Sequence, residues 1–397
     1  MCFFPLIFKK ISLPTWYPYA TYIVLTTSAL LSYFFNYKQV LLSADQQEYK
    51  IQYSYKAVMT LKISAQILCI YYLENGYVWW LILEVIFAIL ASYALTRTIR
   101  KAYPFVITDL SKGKLLSKKY SDFSKKIKQL FFHKIGTFAL TQTSPLIIYA
   151  YISLAAVAIY GNYALIVSGC TSLMIALFNG MSASVGNLVA QGDKSRIMNV
   201  FYEFFSVRFV IVSTVSYGVY FLTPSIINIW VGSSYILSNA TLLIMVIQMF
   251  ITLMKSTIES FSNAYGLYSD IWAPITEALL NISLSIILGA HWGLNGILTG
   301  VLISQILIIF LWKPIFLFYN GFKCSMVKYW RNYSIHFIIL LISLTITRIF
   351  YNQCKIDIHN YVKELLFTII FLIILVTCVY IASTGMRQFF KRIIKLI

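Results

Sequence analysis

The sequence predicts an all-α, polytopic membrane protein of about eleven transmembrane helices, on three observations. Of 397 residues, 59% are hydrophobic and only 11% charged, with a mean hydropathy of +0.77; a soluble chain would carry about a quarter charged residues. Apolar segments of bilayer-spanning length recur from one end to the other, separated by short loops. The 32 Lys and Arg are unevenly spread, with a dense tract between Arg97 and Lys134.

The spans are expected at 16–42, 53–73 and 77–97, ahead of the basic tract, and then at 130–157, 160–190, 203–229, 236–264, 271–291, 294–318, 329–351 and 363–385. Turn residues stand where the short loops need them: Asn75-Gly76, Gly161-Asn162, Gly192-Asp193, Gly232, Asn295-Gly296 and Asn320-Gly321. The tract holds Arg97, Arg100, Lys101, Lys112, Lys114, Lys118, Lys119, Lys125, Lys126, Lys128 and Lys134 against Asp109 and Asp122. Such a segment resists translocation, so it marks the cytoplasmic face and is a natural partner for anionic membrane lipids. Lys194, Arg196, Lys313, Lys323, Lys328, Arg331 and the basic tail fall on the same side, whereas the other side holds only Lys9, Lys10, Arg348, Lys355 and Lys363. The C-terminus is therefore expected inside and the N-terminus outside. No soluble domain accompanies the basic run, so no nucleic-acid partner is expected.

Several function classes lack their signatures. The six cysteines have no CxxC spacing and the four histidines form no metal-ligating pair. There is no Walker loop, carboxylate dyad or nucleophile–base pair, so neither a cofactor nor an enzyme is expected. The first 15 residues do not read as a cleavable signal, because Pro5 interrupts their apolar run. External loops are short, and the longest, near 352–362, cannot house a catalytic domain.

A shift of 220 residues lays 16–95 over 236–315 without a gap and brings Thr21 onto Thr241, Asn75 onto Asn295 and Gly76 onto Gly296. Spans one to three then match spans seven to nine, and spans four to six have no counterpart at the front. The expectation is that three helices precede this chain, encoded in frame upstream of Met1.

Four stretches carry a family resemblance: SYFFNYKQVLLSADQQEY (32–49), HKIGTFALTQTSPLIIYAYISLAAVAIYGNYALI (133–166), MSASVGNLVAQGD (181–193) and PITEALLNISLSIILGAHWGLNGILTGVLIS (274–304). Together they resemble the polysaccharide-transporter branch of the multidrug/oligosaccharidyl-lipid/polysaccharide (MATE/MOP) flippases, which includes the Wzx-type O-antigen flippases. The resemblance implies two six-helix lobes around a central cavity, followed by two extra helices. On that pattern 1–96 is a partial N-terminal lobe, 97–129 a basic cytoplasmic linker, 130–318 a complete C-terminal lobe, and 319–397 the extra helices with a basic tail. Ser144 stands where the family commonly has an acid.

Charges inside spans cost several kcal/mol unless shielded, on the order of 2.5–3.5 at the centre by insertion scales, so each is a site candidate. Lys62 is the most central cation and either meets a substrate diphosphate or partners Glu84 in the next span. Lys255 and Glu259 stand one turn apart, a spacing that lets them pair. Arg208, like Lys56, sits near a span end, where it either snorkels to the interface or contacts substrate. Glu277 follows Pro274 at a helix start, where a carboxylate suits the positive helix end, and is also a coupling candidate. Asp45 reads as a helix cap, and the resemblance makes it a gating position.

Three functions follow for comparison. The first is flipping or export of a polyprenyl-diphosphate-linked oligosaccharide for O-antigen or capsule synthesis in the bacterial inner membrane, with polysaccharide-assembly proteins as possible partners. The second is a MATE-type cation-coupled exporter of small molecules. The third is a polytopic glycan polymerase or glycosyltransferase, which would want a large external loop.

Overall fold

The computed structural model describes residues 14, 16–45, 47–106, 127, 130–131, 143–179, 182–353 and 360–394. Every regular element among them is a helix. Most of the basic tract, and the start of the expected span 130–157, lie outside the described residues. Seven of the described helices are long and apolar enough to cross a membrane, which makes the chain a multi-pass membrane protein. The chain divides into two units, Met1–Leu116 and Ser117–Ile397.

In the first unit, α1 (Trp16–Phe35), α2 (Ala57–Tyr72) and α3 (Gly76–Ala102) form a three-helix group in which α1 and α2 both pack on α3. The short helices Gln39–Ala44 and Glu48–Ile51 and a π-helical turn, Gln52–Lys56, connect α1 to α2. One stripe of α3 is buried, through Leu81, Glu84, Ala88, Ala91, Leu95 and Ile99. Those steps of three and four residues place all six on one helix face. The α2–α3 turn is tight enough to demand glycine: a Cβ on Gly76 would lie 2.7 Å from the Ile70 Cα. At this turn Tyr17 stacks on Tyr77, ring centroids 4.4 Å apart, and Thr21 hydrogen-bonds the Tyr77 hydroxyl. Only α3 of these helices meets the spanning criterion. α2 is 16 residues long, and α1 is diluted with Tyr, Thr and Ser.

The second unit is built on α6. Ahead of it come α4 (Leu154–Asn179) and α5 (Ser182–Gln191), and Asp193 then caps α6 (Lys194–Trp230) by accepting from the Ser195 and Arg196 amides at 3.0 and 3.1 Å. At 37 residues α6 extends about 55 Å, well beyond a hydrocarbon core of about 30 Å. Phe201, Phe205 and Phe209 recur every four residues on it and anchor the main core, Phe201 edge to face with Phe261 and Phe322, Phe205 with Tyr329, and Phe209 with Phe250. Around α6 pack α7 (Asn239–Ala264), α9 (Val327–Gln353), α10 (Asn360–Ala382) and the amphipathic α11 (Thr384–Ile394).

Between α7 and α9 runs α8 (Trp272–Gln305), continued by π-helical and α-helical turns to Phe322. This 51-residue run does not cross once: Gly293 (φ 56°, ψ −133°) breaks it and the chain folds back. Ser285 donates to the Ile297 carbonyl at 2.9 Å across the fold, and a Cβ on Gly296 or Gly300 would collide with the backbone of Leu288 or Ser285. The run therefore covers both expected spans 271–291 and 294–318, as a close-packed helical hairpin.

Candidate functional site

In the first unit the centre of the polar chemistry is Glu84, and α1, α2 and α3 each contribute to it. Lys62, on α2, places its Nζ 2.9 Å from Glu84 Oε1, with both side chains largely buried. Ser28, on α1, donates to the same oxygen at 3.2 Å. Gln66, one turn beyond Lys62, donates from Nε2 to Glu84 Oε2 at 3.1 Å and to the Trp80 carbonyl at the same distance. The carboxylate is thus matched by an ammonium group and two neutral donors, the arrangement that makes a buried charge tolerable. Of the two readings open for Lys62, pairing with Glu84 is the one this geometry contains. Sequence reasoning missed Ser28 and Gln66; the signal for Gln66 was its place four residues from Lys62 on one helix face.

Asp45 was expected to cap a helix, and it is a C-cap, through its backbone amide and not its side chain. It terminates Gln39–Ala44, at the end of a helix where a carboxylate gains nothing from the dipole. Its carboxylate accepts instead from the Tyr103 hydroxyl at 2.9 Å and from Gln47 at 3.2 Å, tying the loop to the end of α3. Burial, then the hydrogen bond to Asp45 and lastly the Asp45 charge, raise the Tyr103 phenol above its ordinary pKa. Lys56 is exposed at the start of α2.

In the second unit a group of charges gathers where α7, α8 and the returning arm of the hairpin meet. Lys255 pairs with Glu259 at 2.8 Å, one turn along α7. Glu277 and Asp270 also act electrostatically on Lys255. Asp270, in the loop between α7 and α8, is buried and lies 2.7 Å from Lys313 on the returning arm. Glu277 is 3% exposed, feels both Lys255 and Lys313, and its Oε1 has no hydrogen-bond partner among the described residues. The dipole reading of Glu277 is therefore corrected: α8 starts at Trp272, so Glu277 lies in the second turn, past the reach of the helix end. The charges of Lys255 and Lys313 act on Glu277, but each lysine is ion-paired with another carboxylate, Glu259 or Asp270. Asp270 and Lys313 were not anticipated as a pair, because only the fold-back at Gly293 brings them together.

Arg208 is also corrected. It does not snorkel: the residue is 1% exposed. Its guanidinium donates to the Phe178 carbonyl at 3.3 Å and to the Ser256 and Ser260 hydroxyls at 3.4 and 3.5 Å. Those hydroxyls spend their own protons on the Leu253 and Ser256 carbonyls, leaving lone pairs for the arginine. The rings of Phe178 and Phe204 lie 4.8 and 5.6 Å from the guanidinium carbon. Phe178 is in the last turn of α4, so Arg208 holds the negative end of that helix.

Each unit, taken by itself, ties a threonine of the preceding helix to its hairpin, though to partners two positions apart under the 220-residue shift. In the first, Thr21 on α1 meets Tyr77 just past the Asn75-Gly76 turn. In the second, Thr241 on α7 donates to Asn295 Oδ1 at 2.6 Å, beside Gly296. In both, glycine follows asparagine where the returning helix presses on the incoming backbone. No protein-family model, curated protein or solved structure matches this chain.

Proposed function

We propose that this chain is a membrane transporter that flips or exports a polyprenyl-diphosphate-linked oligosaccharide for cell-surface polysaccharide synthesis. The observation that carries the reading is the pair of helical hairpins with Asn-Gly at 75–76 and 295–296, equivalent under the 220-residue shift, each with a matching threonine of the preceding helix bonded to it, Thr21 to Tyr77 and Thr241 to Asn295. Transporters are commonly built from such internal repeats. Intramembrane charges in both units, Lys62 with Glu84 and Lys255 with Glu259 and Glu277, suit a polar pathway for a charged headgroup. In this reading the chain crosses a bacterial inner membrane eleven times with its C-terminus in the cytoplasm. It uses the two-lobe MATE/MOP architecture and acts as no enzyme.

Glu277 favours a second reading, a MATE-type cation-coupled exporter of small molecules. A buried carboxylate with one oxygen unbonded among the described residues, whose nearby lysines are ion-paired with other acids, is a place for a proton or monovalent cation to bind and leave. A coupled flippase would use it in the same way.

The test is expression in a bacterial strain whose own oligosaccharide flippase is deleted. Surface polysaccharide should return, and the lipid-linked intermediate should cease to accumulate. Continued accumulation, with the protein present in the membrane at normal abundance, would overturn the reading.

A further inference from the structure

The first unit contains a second polar feature, separate from the Lys62–Glu84 pair. A cleft of about 540 Å³ opens between α1 and α3, with Leu31, Phe35 and Ile89 among its walls. Toward the C-terminal end of α3 its lining changes to Ser92 and Thr96, and then to Arg97, Arg100 and Lys101. A neighbouring cavity of about 290 Å³ shares Phe35, Thr96 and Arg100 with it and adds Lys38. None of these four cations has a carboxylate partner among the described residues. Ser92 is 6% exposed and its hydroxyl has no hydrogen bond among the described residues. Thr98 nearby bonds back to the Ala94 carbonyl at 3.0 Å, as a helical hydroxyl in an apolar setting ordinarily does.

These groups are graded along one helix face. Ser92, Thr96 and Arg100 follow at four-residue steps, about 6 Å apart along the axis. The cleft thus runs from hydrocarbon wall, through hydroxyl donors, to cations within about 12 Å. An anionic glycerophospholipid has the same order: acyl chain, ester carbonyls that accept hydrogen bonds, and phosphate. A polyprenyl diphosphate lacks the ester carbonyls, so the hydroxyl step of the cleft would go unused.

We propose that this cleft is a binding site for one anionic glycerophospholipid. Arg97, Arg100, Lys101 and Lys38 take its phosphate, Ser92 and Thr96 donate to its ester oxygens, and its chain lies against Leu31, Phe35 and Ile89. The site is independent of the transport reading, because it concerns a resident lipid and not the cargo.

The experiment is native mass spectrometry of the delipidated full-length protein, titrated with phosphatidylglycerol, its ether-linked analogue, phosphatidylcholine and a polyprenyl diphosphate. Phosphatidylglycerol should bind best. Arg97→Gln with Arg100→Gln should weaken it about 30-fold, from roughly five- to sixfold per cation near a headgroup. Ser92→Ala should weaken phosphatidylglycerol about fivefold, as for one lost hydrogen bond, and leave the ether analogue unchanged. Lys323→Gln with Lys328→Gln, which removes exposed cations of the other unit, should change nothing. The proposal is overturned if the Arg97/Arg100 variant binds like the wild type, or if the Lys323/Lys328 variant loses as much. It is equally overturned if the polyprenyl diphosphate binds best with Ser92→Ala silent, which would give the cleft to another amphiphile. Should the double arginine variant fail to fold, the Ser92→Ala comparison of ester with ether lipid decides alone.

Discussion

Replacing Lys62 by Gln tests the energetic account of the first unit most sharply. The Lys62 and Glu84 side chains are 14% and 9% exposed and 2.9 Å apart. Removing one partner of a buried pair costs about 3–5 kcal/mol, mostly because the other charge is stranded. Glu84 would keep its bonds from Ser28 and Gln66, so Lys62→Gln should fall at the low end, about 3 kcal/mol. Glu84→Gln should cost less, about 2 kcal/mol, because the long lysine stem can carry its charge toward water. Joining both changes removes both charges and leaves two amides able to bond each other. The double variant should lose about 2 kcal/mol, which makes the coupling about 3 kcal/mol. Unfolding of the purified protein in detergent, followed by tryptophan fluorescence, measures each corner of the cycle. Strictly additive losses would refute the pairing. The cycle also separates the two roles of Lys62: if transport returns together with stability in the double variant, Lys62 does not touch the cargo, and Lys62→Arg should then be as active as the wild type.

Two further predictions concern the fold. Gly300→Leu should destabilise the α8 hairpin by more than about 3 kcal/mol, because its side chain would overlap the Ser285 backbone rather than a mobile side-chain tip; protein yield and thermal unfolding report it, and a stable variant would contradict the close-packed fold-back. Single cysteines at Gly113 and Ser234, in a cysteine-free background, should react with an impermeant thiol reagent from opposite sides of the membrane; equal labelling from one side would reject the orientation drawn from the basic residues.

What the sequence made legible depended on how local each interaction is. Apolar runs mark membrane helices directly, and the Lys255–Glu259 pair follows from spacing on a single helix. The Lys62–Glu84 pair was open to inference because both lie on helices joined by the Asn75-Gly76 turn. The Asp270–Lys313 pair needed the hairpin at Gly293 to be seen first, since 43 positions separate the two. Arg208 misled for a different reason. The expected span began at 203, which set Arg208 close to an end, but α6 begins at Lys194. What sets the arginine's place is burial against the Phe178 carbonyl and the Ser256 and Ser260 hydroxyls, 30 to 52 positions away. Asp45 does stand at a helix cap, the C-cap of Gln39–Ala44, but its side-chain partner Tyr103 lies 58 positions away and was not legible in the local sequence.

The central claim is that the chain moves a lipid-linked saccharide across a bilayer. The direct measurement is made in proteoliposomes holding the purified protein and a fluorescent polyprenyl-diphosphate saccharide, with outer-leaflet label quenched by an impermeant reductant. The account predicts that the protein converts the protected inner-leaflet fraction into a quenchable one far faster than protein-free vesicles do, while a fluorescent phospholipid control is left unmoved. Quenching no faster than in empty vesicles, or equal acceleration of the phospholipid, would contradict it.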